Sequence, residues 1–447
     1  MTVHKRTLTL AALAALALLA WVAAPALSLR PYQPEIENFE RGLPEAKRLP
    51  AAESGTRHDE AHGADDGEEH DAQIAGHAGT EPRFISPPVK APHEFDLVGV
   101  AREMRELELR VRSDGGPWSD WVEQTEGTPV YVDGADEAQV RASFRPQGRL
   151  HFVNVSGSAG GLPGRLLSTA RSAINDAFIA VASPALAQAG APQPDLVVRS
   201  AWGADTPAGG CVPKGPPELG EVRSAVIHHT VNANTYTAAE AAGIVLGICS
   251  FHIAGNGWND IGYNALVDRF GTLYEGRAGG LDNPVVGAHA QGFNSQTTSI
   301  ASIGEHSAGG LEPAAQSSVV RYLAWRMAEA GLNPVTKKSE LTSGGGSLSK
   351  YGAGTTVSLP RILGHGDLGL TACPGAALAG QIASIRRQVQ KRLGGCRPVC
   401  KRCKKVRRGT KKKAKACAKC RRCRRNAKTR RLRAKRHAAR ARRAAAG

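Results

Sequence analysis

Hydrophobic and polar residues alternate strictly along Leu107-Glu108-Leu109-Arg110-Val111-Arg112, which predicts a half-buried strand. Gly115-Gly116-Pro117 reads as a turn, and Trp118-Ser119-Asp120-Trp121 follows it. Short apolar stretches recur at Val130-Tyr131-Val132, Val140 to Phe144 and Leu150 to Val155. Such spacing predicts a small all-β module over residues 94–157. Trp118 and Trp121 either stack on sugar rings or serve as core and edge aromatics.

Beyond Asp195 the pattern changes. Ala225-Val226-Ile227 reads as a buried strand ending at His228-His229. Thr237-Ala-Ala-Glu240 has capping-box spacing and predicts a helix through about Ile253. Ile261 to Val267 and Leu273 to Gly276 flank a turn at Phe270-Gly271, as in a hairpin. Ser299 to Ile303 and Arg361-Ile362-Leu363 are further strands. Pro313 opens a helix running to about Ala330, and Ile382 to Leu393 forms a closing helix. Alternating elements predict an α/β domain over residues 194–394, a mixed central sheet flanked by helices.

The remaining segments lack such patterning. Residues 27–93 are acidic, Pro-bearing and poor in large apolar side chains, as a disordered spacer is. His58, His62, His70 and His77 within it either capture metal weakly or are scattered polar residues. Residues 158–193 read as an Ala-, Gly-, Ser- and Pro-rich linker, with room for a short amphipathic helix near Arg165 to Ala182. At the N-terminus, His4-Lys5-Arg6 precedes an apolar run from Leu8 to Ala26 that ends in Ala24-Pro25-Ala26. Residues 1–26 therefore read as a signal peptide, with an uncleaved membrane anchor as the alternative. Either places the protein outside the cytoplasm, secreted or associated with the cell wall.

Charge changes the picture only once it is located. The net charge is +18, but residues Cys396 to Gly447 alone hold 25 Lys and Arg and no acid, so the remainder stands at −7. The basicity belongs to an appendage, residues 395–447, which excludes reading the whole chain as a nucleic-acid binder. The expected partners of that tail are anionic cell-envelope polymers; no specific nucleic acid is expected, and the chain is expected to be a monomer. Its six cysteines, in two triplets thirteen residues apart, form disulfides or bind zinc. Three cysteines remain in the body: Cys211, Cys249 and Cys373.

His228 and His365 each follow a predicted strand, and Cys373 precedes a Pro374-Gly375 turn. Two imidazoles and one thiolate are the kind of set that holds a catalytic zinc while leaving a position open for water. Spacing alone does not establish that these three meet.

Seven strings stand in order along the domain: Arg199-Ser-Ala-Trp202-Gly, Val226-Ile-His228-His229-Thr230, Gly257-Trp258-Asn-Asp260-Ile-Gly262-Tyr263-Asn264, Tyr274-Glu-Gly-Arg277, Gly287-Ala-His289, Gly292-Phe-Asn294, and Gly364-His365 with Thr371-Ala-Cys373-Pro374-Gly375. The series resembles the peptidoglycan recognition protein and type 2 N-acetylmuramoyl-L-alanine amidase family. The resemblance implies hydrolysis of the amide between N-acetylmuramic acid and L-alanine in peptidoglycan. It implies a Zn2+ ion held by His228, His365 and Cys373, with His229 turned aside because strand neighbours face opposite ways. Zinc lowers the pKa of bound water to about 7, and Tyr263 would stabilise charge on the reacting carbonyl oxygen. Thr371 matches a position where relatives carry Lys or Thr. His252, His289 and Asn294 match residues lining the substrate groove, where each touches substrate or supports the structure. Relatives that only bind peptidoglycan lack the metal-binding Cys, so Cys373 favours hydrolysis over recognition alone. Gly366 departs from the Arg common there and is expected to loosen the loop holding His365 or to alter substrate preference. Ser299 stands where Gly is common. Cys211 and Cys249 read as a disulfide, with two buried free thiols as the alternative.

Overall fold

The computed structural model describes residues 36–49, 83–101, 107–124, 127–155, 191–205, 210–333, 335 and 337–393, with isolated tail positions at 414, 417, 418 and 421. The export segment, the four spacer histidines and the linker helix lie outside these residues; of the six tail cysteines Cys417 alone lies within them, and it is disulfide-bonded. Among the described residues, no helix is long and apolar enough to cross a membrane.

The first eight strands form one antiparallel sheet: β1 (Glu37–Gly42), β2 (Lys47–Arg48), β3 (Phe84–Ile85), β4 (Val89–Val100), β5 (Leu107–Arg112), β6 (Val122–Gln124), β7 (Val130–Ala142) and β8 (Arg149–Asn154). β5 alternates as its sequence requires, with Leu107, Leu109 and Val111 buried and the residues between them half-buried. Two apolar stretches expected as separate strands are one strand, β7, which pairs with β3, β4 and β5. The expectation of an unstructured spacer over residues 27–93 needs correction for its described parts, residues 36–49 and 83–93. They supply β1, β2, β3 and the start of β4. These strands carry few buried side chains, so the apolar signal is weak; β1 docks mainly through Phe39, stacked on Phe152 at 5.4 Å. Trp118 and Trp121 are not core residues. They lie half-buried between the guanidinium groups of Arg110, Arg112 and Arg141, at 4.4–4.8 Å.

The second sheet has the order β11 (Leu273–Glu275), β10 (Ala265–Val267), β12 (Thr297–Ser302), β9 (Ser224–His229), β15 (Ile362–Gly364). β10, β12, β9 and β15 run parallel, and β11 closes one edge antiparallel. A separate hairpin pairs β13 (Lys338–Thr342), which alternates with Ser339 and Leu341 buried, with β14 (Thr356–Pro360); the sequence reading missed it. Helices α2 (Pro313–Glu329) and α3 (Ala376–Leu393) pack on one face of the sheet around Ala225, Ile227 and Ile300. Pro313 opens α2 as expected. α3 begins directly after Pro374-Gly375, earlier than its apolar repeat suggests.

Helix α1 (Ala241–Ala254) covers the opposite face. Its predicted capping box forms a turn just ahead of the helix, in which the Glu240 carboxylate accepts the Thr237 N–H at 2.7 Å. Twelve of its fourteen residues are buried, so it has no solvent face to give. The second sheet covers one side, and Leu97, Tyr131 and Val153 of the first sheet cover the other. The approach is close: a Cβ at Gly247 would lie 2.4 Å from Leu97 Cδ1, and one at Gly99 would lie 2.6 Å from Phe251 Cζ. The layers therefore run from the α2–α3 pair through the mixed sheet and α1 to the antiparallel sheet.

Cys211 and Cys249 form a disulfide that ties α1 to the chain ahead of β9. Beside it the buried Arg199 guanidinium sits 3.2 Å from Asp260 and donates to the carbonyls of Gly276 and Cys211 at 2.6 and 2.9 Å. Asp260 in turn accepts the N–H groups of Ile261 and Ala278, both at 2.7 Å. Several of the ordered sequence strings thus meet at one buried ion pair rather than at the site. Arg199→Leu should destabilise the protein by about 3–5 kcal/mol in urea denaturation at pH 7, because Asp260 is left charged and buried. Adding Asp260→Asn should restore a large part of that loss; a loss under about 1 kcal/mol in the single variant would show the pair to be energetically minor.

Candidate metal centre

β9 carries two adjacent histidines, and its alternation separates them. His228 faces the α1 side, where its ring lies 5.3 Å from Tyr263, 5.0 Å from His289 and 4.4 Å from His365. His229 faces the other way, 6.4 Å from the His306 ring, and its Nδ1 accepts the His306 N–H. β15 delivers His365 at its C-terminal end, next to β9, and the loop before α3 delivers Cys373. Donor atoms of His228, His365 and Cys373 all lie within 4.8 Å of one another, and all three residues are buried.

The His228 ring is divided between two partners. Its Nε2 lies 3.1 Å from His289 Nδ1, and its Nδ1 lies 3.7 Å from Cys373 Sγ. Tetrahedral zinc sets an imidazole nitrogen and a thiolate sulfur about 3.6 Å apart, so the spacing suits the ion. A ligating histidine generally needs its other nitrogen held, and His289 does this for His228. Burial, followed by the neighbouring His365 and His289, holds His228 well below the usual imidazole range. Burial pushes His289 down to about 3, with His365 and Arg277 adding to the effect. Neutral imidazoles are the form a metal requires.

The other expected site residues fall around this centre. Tyr263 is buried between His228 and His252, whose ring centroid is 5.8 Å away. His252 is fully enclosed: its Nδ1 accepts the Gly262 N–H at 3.1 Å, and its ring packs on Trp258 at 4.6 Å. Asn294 accepts the N–H groups of His289 and Ala290 through Oδ1, both at 2.8 Å, and so holds His289 from behind. Thr371 accepts the Cys373 N–H at 3.1 Å. Gly366 sits where its loop folds back closely on the Cys373 segment. Its N–H donates to the Cys373 carbonyl at 2.7 Å, and a Cβ there would lie 3.0 Å from Thr371 O and 3.1 Å from Cys373 O. Ser299 pairs with Asn264, accepting its N–H at 2.9 Å and knitting β12 to the start of β10.

Two neighbours escaped the sequence reading. Lys350 donates to the Gly366 carbonyl from the loop between β13 and β14. Thr128, from the first sheet, places its hydroxyl 2.9 Å from that of Tyr263. Neither lies in a string with chemical character, so no local signal marks them.

With this geometry in place, the likeness to known proteins becomes specific. The family described as N-acetylmuramoyl-L-alanine amidase matches residues 218–376, a span that includes His228, His365 and Cys373. Peptidoglycan-recognition protein SC1a of Drosophila melanogaster is 30% identical over 158 residues, covering 35% of this chain and 70% of that protein. Peptidoglycan-recognition protein SC2 of the same fly is 32% identical over 161 residues, covering 35% of this chain and 71% of that protein. The chain belongs to the peptidoglycan recognition protein and type 2 amidase family. Among solved structures, wild-type Drosophila PGRP-LB aligns at 26% identity over 42% of this chain and 93% of that one, with a TM-score of 0.33.

The tautomer at His252 generates a pH dependence. Burial and the nearby Arg277 push its pKa down to about 3, and a proton on Nδ1 would confront the Gly262 N–H. An unfolded histidine titrates near 6.5, so between pH 6.5 and about 3 the unfolded chain binds the extra proton. That contribution to stability is present above pH 6.5 and is lost as pH falls, by about 1.4 kcal/mol per pH unit for one such group. Replacing His252 with Asn keeps an acceptor near Nδ1 and cannot titrate. Its urea-denaturation stability between pH 6 and 4 should fall less steeply than wild type by about that amount, and an unchanged slope would remove His252 from the acid response.

Proposed function

We propose that the protein is a zinc-dependent amidase cutting the bond between N-acetylmuramic acid and L-alanine in peptidoglycan. The observation that carries this reading is the buried convergence of His228, His365 and Cys373 in a chain of this family. Zinc bound there would supply a Lewis acid and a water made nucleophilic at neutral pH. His228 and His365 offer ring nitrogens, and Cys373 offers a sulfur that also receives the His229 N–H at 3.4 Å. His289 fixes the His228 ring, Asn294 fixes His289, and Thr371 fixes the Cys373 backbone. Tyr263 is the group positioned to donate a hydrogen bond to the carbonyl oxygen as charge builds on it. The amine of L-alanine leaves with a proton. Export to the cell wall and retention there by the basic tail complete the reading.

The purified full chain should contain one zinc per molecule by elemental analysis. Cys373→Ser and treatment with a strong chelator should both remove it. Release of L-alanine amino groups from purified cell wall should then fall by 100-fold or more, on the order of a lost zinc ligand. Zinc retained with no amino groups released would assign the chain to recognition instead. Removing residues 395–447 should weaken retention on cell walls, most clearly at low salt, while hydrolysis of soluble fragments continues.

A further inference from the structure

The antiparallel sheet is more than a neighbour of the metal centre. Between β6 and β7 the chain leans onto the segment that follows α1. Gly127 adopts a left-handed φ of +66°, and a Cβ there would lie 2.7 Å from Asn256 Nδ2 and 3.1 Å from the Trp258 ring. The Gly127 carbonyl accepts the Asn256 side-chain amide at 2.6 Å. The next residue, Thr128, is 3% exposed, and its hydroxyl meets the Tyr263 hydroxyl at 2.9 Å. One residue into β7, the Tyr131 carbonyl faces the Ala233 N–H at 3.4 Å, so the contact continues along the strand. The Leu97, Tyr131 and Val153 side chains against α1 make this seam part of the protein's core.

We propose that Thr128 is a positioning residue for the amidase reaction, acting from the antiparallel sheet through Tyr263; the proposal rests on the amidase reading above. A phenol can rotate its proton around the C–O bond, and only some orientations serve a substrate carbonyl. A hydroxyl donating to Tyr263 Oη occupies a lone pair and leaves the phenolic proton directed to the carbonyl oxygen. It also strengthens that proton as a donor, since hydrogen bonds in a buried chain polarise one another. Thr is suited to the task because its β-branching restricts the side-chain rotamer, and burial leaves the hydroxyl little else to bond. The antiparallel sheet then supplies part of the site, and the hydrolytic unit of this chain extends beyond the span matched by the family.

The test compares Thr128→Val, which keeps the shape and removes the hydroxyl, with Thr128→Ser, which keeps the hydroxyl. Full-length zinc-loaded protein is assayed on a soluble peptidoglycan fragment, and thermal unfolding checks each variant. Thr128→Val should lower kcat about tenfold with KM within about twofold, the signature of an interaction felt in the transition state. Thr128→Ser should remain within about threefold of wild type in kcat. Combined with Tyr263→Phe, Thr128→Val should cause no further loss, because its effect passes through that hydroxyl. A second readout needs no activity. With the seven tyrosines carrying 13C at Cζ, the Tyr263 resonance, assigned by its disappearance in Tyr263→Phe, should move in Thr128→Val and stay in place in Thr128→Ser. A Thr128→Val enzyme with wild-type or higher kcat, or losses that add to those of Tyr263→Phe, overturns the proposal. Should the wild-type protein release no amino groups, the amidase reading fails; an unmoved Tyr263 resonance would then sink the Thr128 contact, and a moved one would keep the contact while removing its catalytic role.

Discussion

Helix α1 has no face fit for water, and the architecture follows from that constraint. Ile244, Val245, Leu246, Ile248 and Phe251 point around the whole circumference. One sheet can cover only half of such a helix, so a second covering layer is required. The antiparallel sheet provides it, at separations set by Gly247 and Gly99. Burying a side chain the size of Leu or Phe contributes about 1.5–3 kcal/mol, so several at one seam outweigh the freedom lost in fixing the two sheets together. The same seam brings Thr128 within reach of Tyr263.

Much of the fold is legible in the sequence because local pattern encodes it. β5 alternates cleanly, α2 announces itself with Pro313, and β9 centres on the apolar run Ala225-Val226-Ile227. The failures have a common physical cause. β1 to β3 are short and lightly buried, and β13 turns only Ser339 and Leu341 inward, so none carries a strong apolar repeat. β7 reads as two strands because Asp133, Gly134, Asp136 and Glu137 interrupt it, although the backbone pairing runs on. For the site, residue type and spacing left His228, His365 and Cys373 as open candidates, and the resemblance carried by the ordered strings joined them as a set. Their convergence depends on β9 and β15 being adjacent, which no local pattern states. Thr128 was invisible for a stronger reason: it is 135 residues from its partner, and threonine carries no chemical signature of its own.

The centre is also a study in holding imidazoles neutral. His228, His252 and His289 are all buried, and the interior disfavours the charged form of each. Backbone groups reinforce this by fixing tautomers: Gly262 N–H claims Nδ1 of His252. Asn294 acts one step further out by anchoring the His289 backbone. Residues that the family pattern associates with a groove therefore also build the support behind a set of donors. Polar side chains at such a depth serve only when their orientations are fixed, and Asn294 and Thr371 contribute to this by accepting the backbone N–H groups of His289 and Cys373.

The covering of α1 bears on how the chain is made. The ribosome delivers the antiparallel sheet first, roughly ninety residues before the helix that its Leu97, Tyr131 and Val153 must meet. Until that helix arrives, Leu97, Tyr131 and Val153 lack the apolar partner they have in the folded protein. Nascent protein in that interval is the state most open to self-association or to capture by a chaperone. Order of synthesis, and not only final stability, thus becomes a constraint on any rearrangement of these segments.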